Sequence, residues 1–176
     1  PDVSSAASDV YKRQGINMKL ARAIHFDESD TRVYSNSART GEWCVSGGFE
    51  FSNWSEADLD GKAKQAFSNG WFGLETSGRV TFVAVAKVTS QEVSHLEELL
   101  ADHFVTYYGA PSKELAIPVA SDELQAMADL CDEHDDNTLL VVSRELTEAG
   151  VKETFRIIDP EEAGLDQFAI HGSLDE

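Results

Sequence analysis

Basic side chains are scarce in this chain. Fourteen lysines and arginines stand against 32 aspartates and glutamates, a net charge of −18 over 176 residues. So negative a field repels phosphate backbones and anionic bilayers, which argues against nucleic acid or membrane surfaces as partners. Cysteine is nearly absent as well. Cys44 and Cys131 are the only two, one in an expected strand and one in an expected helix, with no CxxC. Two isolated thiols exclude a disulfide framework and point to a reducing compartment, so the expected localisation is cytoplasmic. No run approaches the roughly 18 apolar residues of a membrane span.

The common chemical signatures are missing too. There is no GxSxG elbow and no P-loop, and no GxGxxG follows a strand. Cys131 and His134 are spaced i, i+3 beside Asp132, Asp135 and Asp136, but a second ligand pair is lacking, so the group reads as a solvated helix end. His95 and His103 lie eight residues apart on one helix, too far for a shared ion. Cys44 has no neighbouring base or cation in the sequence to activate it. No metal or cofactor is expected.

Residues 4–14, SSAASDVYKRQ, resemble the translation of a transposon-type sequencing adapter. Residues 1–17 are therefore set aside, Met18 is the expected start, and the gene is expected to have been read from environmental DNA. Lys12 and Arg13 cancel Asp2 and Asp9, so the entire charge excess belongs to the 159 residues from Met18, with 12 basic and 30 acidic. That length suits one domain with a real core.

Periodicity supplies the elements. Lys19–Phe26 is a short apolar strand, Asp27–Asp30 an acidic turn, and Thr31–Tyr34 a short strand pairing back. In Glu42–Ser52, Trp43, Val45, Phe49 and Phe51 alternate with Cys44, Ser46, Glu50 and Ser52, a period-2 strand interrupted by Gly47-Gly48. Ser55 with Asp58 starts a helix that Gly70 stops. Trp71–Leu74 is a strand, and Arg79–Val88, apolar on both faces, is a central one. Thr89 and Glu92 have capping-box spacing before a stripe of Val93, Leu96, Leu100, Phe104 and Tyr107. Gly109 and Pro111 end that helix. Ala110–Val119, with Pro111 and Pro118, reads as a connector with room for one short helical turn, and Ser121 as the cap of a last helix carrying Leu124, Met127, Ala128 and Cys131. Strands Thr138–Leu146 and Val151–Ile158 follow, joined by a four-residue loop, Thr147–Gly150. Residues 161–176 read as a loosely ordered acidic tail. The expected fold is one α+β domain over 18–160, a mainly antiparallel sheet with about three helices covering one face.

Seven aromatics, Trp43, Phe49, Phe51, Trp54, Phe67, Trp71 and Phe72, fall within 30 residues. Most suit a core, but Trp54 and Trp71 stand at element ends. With Glu75 and Arg79 they form the candidate binding face.

The blocks MKLARAIHFD (18–27), GEWCVSGGFEF (41–51), WFGLETSGRVTFV (71–83) and HFVTYYGAP (103–111) resemble a proteobacterial family of uncharacterised proteins, a domain of unknown function. The resemblance runs from Met18 to about Pro160. It implies no catalytic residue or ligand. It does imply a link to a gene cluster of formate dehydrogenase type, and with it an accessory role. The leading functional expectation is a non-catalytic binding or accessory protein that meets a basic-faced partner. The alternative is a small enzyme in which Glu42, Glu75, Arg79 and His25 converge as a carboxylate/His site. A third is a dimer built on the edge of the 138–158 hairpin.

Overall fold

The apolar run at Met18–Ile24 (β1) pairs over all seven residues with Phe82–Val88 (β5), from Met18 opposite Val88 to Ile24 opposite Phe82. Leu20, Ala21, Val83 and Val85 are fully buried, so both faces of this pair are covered. It is the centre of the structure, a computed structural model that describes residues 18–159. The other elements in chain order are α1 (Ser29–Val33), β2 (Trp43–Val45), α2 (Gly61–Asn69), β3 (Trp71–Gly73), β4 (Arg79–Val80), α3 (Ser90–Tyr108), α4 (Lys113–Asp132), β6 (Leu139–Thr147) and β7 (Gly150–Ile158). The strands form one antiparallel sheet in the order β4-β3-β2-β1-β5-β6-β7. The expected α+β class is the observed one. Helix α4 lies along β1 and β2, α3 packs on α4, and α2 packs on β6.

The sheet is strongly coiled. β6 pairs with β5 at only two positions, Leu140 and Leu139. The rest of the β6–β7 hairpin then sweeps back, so that Phe155 of β7 stacks on Trp71 of β3 with centroids 5.6 Å apart. Four strands separate β3 from β7 in the hydrogen-bonded order, so twist alone brings them together.

Several elements differ from expectation. Thr31–Tyr34 is not a strand; Ser29–Val33 is helical, because Asp30 turns inward to bond Thr81. The Glu42–Ser52 alternation yields only β2. Gly47 takes φ +76°, and Gly48–Phe51 coils into a 3-10 turn that buries Phe51. Cys44, expected opposite the apolar face, is fully buried, since β2 is covered on both sides. The Ser55–Asp58 capping box closes a 3-10 turn, Glu56–Asp58, and α2 begins only at Gly61.

The Arg79–Val88 run breaks at Thr81 into β4 and β5, which sit at separate places in the sheet. Asp30 Oδ1 accepts from Thr81 Oγ1 at 2.8 Å and fixes the break. The expected connector over Ala110–Val119 is mostly helix. Ser112 caps α4, its hydroxyl accepting from Leu115 N at 3.2 Å, and the helix runs through Pro118. Pro118 forfeits one backbone bond, while its neighbours Ala116 and Ala120 are held in the core. The hairpin loop has two residues, Glu148 and Ala149, because Thr147 pairs with Gly150 at φ +117°.

Other expectations hold. Thr89 and Glu92 form the reciprocal box, with both bonds at 3.1 Å. Val93, Leu96, Leu100 and Phe104 are buried. Tyr107, expected on that stripe, is 71 % exposed and lies on the His103 ring at 4.8 Å from the solvent side. Residues 1–17 and 160–176, including the adapter-like segment and the acidic tail, lie outside the described residues.

Candidate functional site

Two buried arginines organise the region where the aromatics gather. Arg79 comes from β4 and Arg144 from β6. Both donate to the Gly70 carbonyl, at 3.0 and 2.8 Å. Both also reach the Ser46 carbonyl, and both guanidinium carbons lie over the Phe51 ring, at 4.6 and 5.1 Å. Arg144 additionally donates to Phe67 O at 3.0 Å, so it satisfies orphan carbonyls at the C-terminus of α2. Each cation has one carboxylate, Glu50 for Arg79 and Glu153 for Arg144 (2.7 Å). Burial lowers both arginine pKa values. That of Arg144 falls to about 10, with the charge of Arg79 the next cause. This hub ties the 46–51 loop, α2 and the hairpin into one body.

The buried acids are held just as firmly. Glu42 is 4 % exposed. Its Oε1 accepts from Glu75 N and Thr76 N at 3.0 Å each, and its Oε2 from Thr76 Oγ1 at 2.8 Å. Glu42 thereby shapes the 73–78 turn. Asp30 bonds Thr81 and faces His25 Nδ1 at 3.0 Å. His25 Nε2 donates to Ala38 O at 2.7 Å. Tyr34 completes that cluster on Thr81 Oγ1 at 2.8 Å, and burial pushes its phenol up to about 12.

The four residues expected to form a binding face are not brought onto one surface. Trp71 is fully buried against Phe155, and Arg79 is 4 % exposed inside the hub. Glu75 is exposed, within 4.0 Å of Arg39. Trp54 is half-buried, with Phe51 at 4.7 Å in an edge contact. Only Trp54 and Arg79 meet, in a cavity of about 210 Å³ between α2 and residues 34–36. Nor do Glu42, Glu75, Arg79 and His25 converge as one site: Glu42 accepts from the Glu75 backbone, while the side chain of Glu75 meets Arg39, Arg79 meets Glu50 and His25 meets Asp30. Both cysteines are buried. Burial lifts the Cys44 thiol well above its usual range and that of Cys131 to about 12, which disfavours the reactive thiolate. Among the described residues no three His, Cys, Asp or Glu side chains gather as a metal site, and no helix is long and apolar enough to cross a membrane.

Sequence reading missed Arg144, Glu50 and Asp30. Arg144 did leave a signal: it continues the phase of Leu140 and Val142, the buried positions of β6. An arginine on the apolar phase of a strand is a buried, partnered cation or a misread register.

The helix pair α3–α4 carries the other concentrated feature. From Ser90 to Asp132 there are nine acidic residues and one basic residue, Lys113. At the end where the two helices join, large apolar groups stand in solvent: Val105 37 %, Tyr107 71 %, Tyr108 43 %, Leu115 62 % and Val119 51 % exposed. Beneath them Phe49 makes edge contacts with Phe104 and Tyr108 at 5.0 and 5.7 Å. His103 sits in the same cluster, its pKa lowered by burial.

Comparison with known proteins gives a match of residues 18–176 to DUF6505, a family of unknown function. The match includes the acidic tail, beyond the Pro160 boundary that the resemblance suggested. No curated protein and no solved structure matches the chain.

Proposed function

The chain belongs to that family, and we propose that it is a non-catalytic accessory protein that docks a basic-faced protein partner through the joined end of α3 and α4. The observation that carries this reading is the pairing of two features on one segment. Five exposed apolar side chains lie between Val105 and Val119, on a helix pair with nine acidic residues and one basic residue. Exposed aromatics supply anchors, and surrounding carboxylates supply steering and selection for a basic face. The link to a formate dehydrogenase type gene cluster belongs to the same proposal.

The test is a pull-down with the chain from Met18 as bait, tagged at its C-terminus, at low and high salt. The expected result is one stoichiometric partner, lost at high salt, and lost again with the double substitution Tyr107→Ser, Leu115→Ser. Capture indifferent to both salt and substitution would refute the reading. The alternative, a small enzyme with a carboxylate or histidine site, is weakened because Glu42, His25 and Arg79 already hold protein partners. A dimer through β7 has one observation in its favour, an edge strand with Ile157 half exposed. Sedimentation at two concentrations separates it from the docking reading.

A further inference from the structure

Arg79 has five N–H donors. Its two terminal nitrogens meet the carbonyls of Ser46, Gly47 and Gly70 and the carboxylate of Glu50. Its Nε has no acceptor among the described residues, although the residue is 4 % exposed. A buried donor left unpaired costs about 1–3 kcal/mol, so such atoms are uncommon and mark places where an acceptor belongs.

The same arginine lines the cavity of about 210 Å³ beside Trp54. Phe51, Trp54, Ala63 and Ala66 give that cavity an apolar wall; Lys62 and Asn36 give it polar groups. Trp54 lies edge-on to Phe51 and parallel to Phe67, with the Phe67 centroid 6.4 Å away, so the wall is built of fixed rings. Glu50 also lines the cavity. It reaches the buried guanidinium from a position where 42 % of its own side chain is in solvent. A half-exposed carboxylate holding a buried arginine occupies the place a ligand carboxylate would take.

We propose that this cavity binds a small aromatic carboxylate, whose ring lies against Trp54 and Phe51 and whose carboxylate takes Arg79 in place of Glu50, with Lys62 at the mouth. Charge logic fits this ligand despite the net charge of −18. Beyond the screening length of about 8 Å the acidic surface acts weakly, and the cavity lining itself holds two cations, Arg79 and Lys62, against one carboxylate, Glu50, the group the ligand would displace. Carboxylate recognition by arginine is bidentate by preference, and Nε with a terminal nitrogen is one such fork.

The test uses the chain from Met18 to Glu176 and the probes benzoate, benzamide and inorganic phosphate. In Glu50→Gln the buried Arg79 loses its full counter-charge, so the variant melts lower than the parent. Benzoate restores its melting temperature, and the upward shift exceeds that in the parent at equal concentration. Benzamide, the neutral isostere, does not. Should Glu50→Gln fail to fold, Lys62→Gln, at an exposed position, carries the test by titration calorimetry. Benzoate affinity then falls about twofold to fivefold, the range of an exposed charge pair. The proposal is overturned if benzoate stabilises Glu50→Gln no more than the parent, if benzamide matches benzoate, or if Lys62→Gln binds benzoate unchanged. Equal rescue by phosphate overturns the assignment of an aromatic body.

Discussion

Replacing Arg144 with methionine keeps most of the side chain's length and apolar stem and removes its five donors. The Ser46, Phe67 and Gly70 carbonyls then lose a cation, and Glu153 loses its counter-ion. Removing one partner of a buried ion pair costs about 3–5 kcal/mol. Glu153 keeps 26 % of its side chain in solvent, which places the expectation at the low end, about 3 kcal/mol. Against a typical total of about 5–15 kcal/mol that is a large loss. At about 2–4 °C per kcal/mol, the melting temperature of Arg144→Met falls by about 6–12 °C. Urea denaturation at pH 7 measures it directly, with a lower midpoint and an unchanged slope. The double change Arg144→Met, Glu153→Met recovers part of the loss, because it leaves no unpaired Glu153 charge while the Phe67 carbonyl still lacks its donor. Arg79→Met and Arg144→Met together cost more than the sum of the two, since either cation alone still pairs the Ser46 and Gly70 carbonyls and only the double change leaves both without a donor. A cost below about 1 kcal/mol for Arg144→Met would refute the view that this hub holds the hairpin to α2.

Two further outcomes follow from the helices. Burial first, and then the charges of Glu153 and Asp122, raise the Glu123 pKa above 4.5. The folded state thus holds that proton more tightly than the unfolded chain does. Its stabilising contribution is complete below pH 4.5 and is lost as pH rises through the folded value. Glu123→Gln, neutral at every pH, therefore melts higher than the parent at pH 7, and the gap closes toward pH 4; a pH-independent gap counts against the electrostatic cause. Pro118→Ala restores a backbone donor inside α4 and is expected to stabilise by about 1–3 kcal/mol, read as a higher melting temperature. A lower one would mean that Pro118 is packed in a role its half-buried position does not suggest.

The class of the fold was readable because its longest patterns are local. FVAVAKV (82–88), the Thr89–Glu92 box and the 138–158 hairpin each state their own conformation within about ten residues. The failures share one cause, which is long-range contact overriding local pattern. Alternation through Glu42–Ser52 looks like a continuous strand, yet Gly47 turns it so that Phe51 can lie under two arginines, one of them from β6. Ser29–Val33 coils because Asp30 has a partner at Thr81, 51 residues on. Pro118 reads as a breaker until the Ser112 cap and the buried alanines beside it are seen. The candidate face failed in the same way. Trp71 stands at a strand end, where exposure is the ordinary expectation, and only the return of the hairpin covers it. Arg79 and Trp54 did prove to share a cavity, because the residues between them fold both into the hub.

The bonds of Arg144 also bear on how the chain is made. They join residues 98, 78, 77 and 74 positions apart, from the 46–70 segment to the next-to-last strand. During synthesis the Phe67 carbonyl at the C-terminus of α2 emerges long before the cation that satisfies it. Helix α2 has nine residues, too few to persist alone in water. The segment Gly61–Gly70 therefore waits, loosely formed, until β6 leaves the ribosome. Closing loops of that length is slow, which makes docking of the last hairpin the step that locks the domain. A nascent chain halted before Leu139 would expose Trp71 and the α2 segment to protease, and one extended past Ile158 would not.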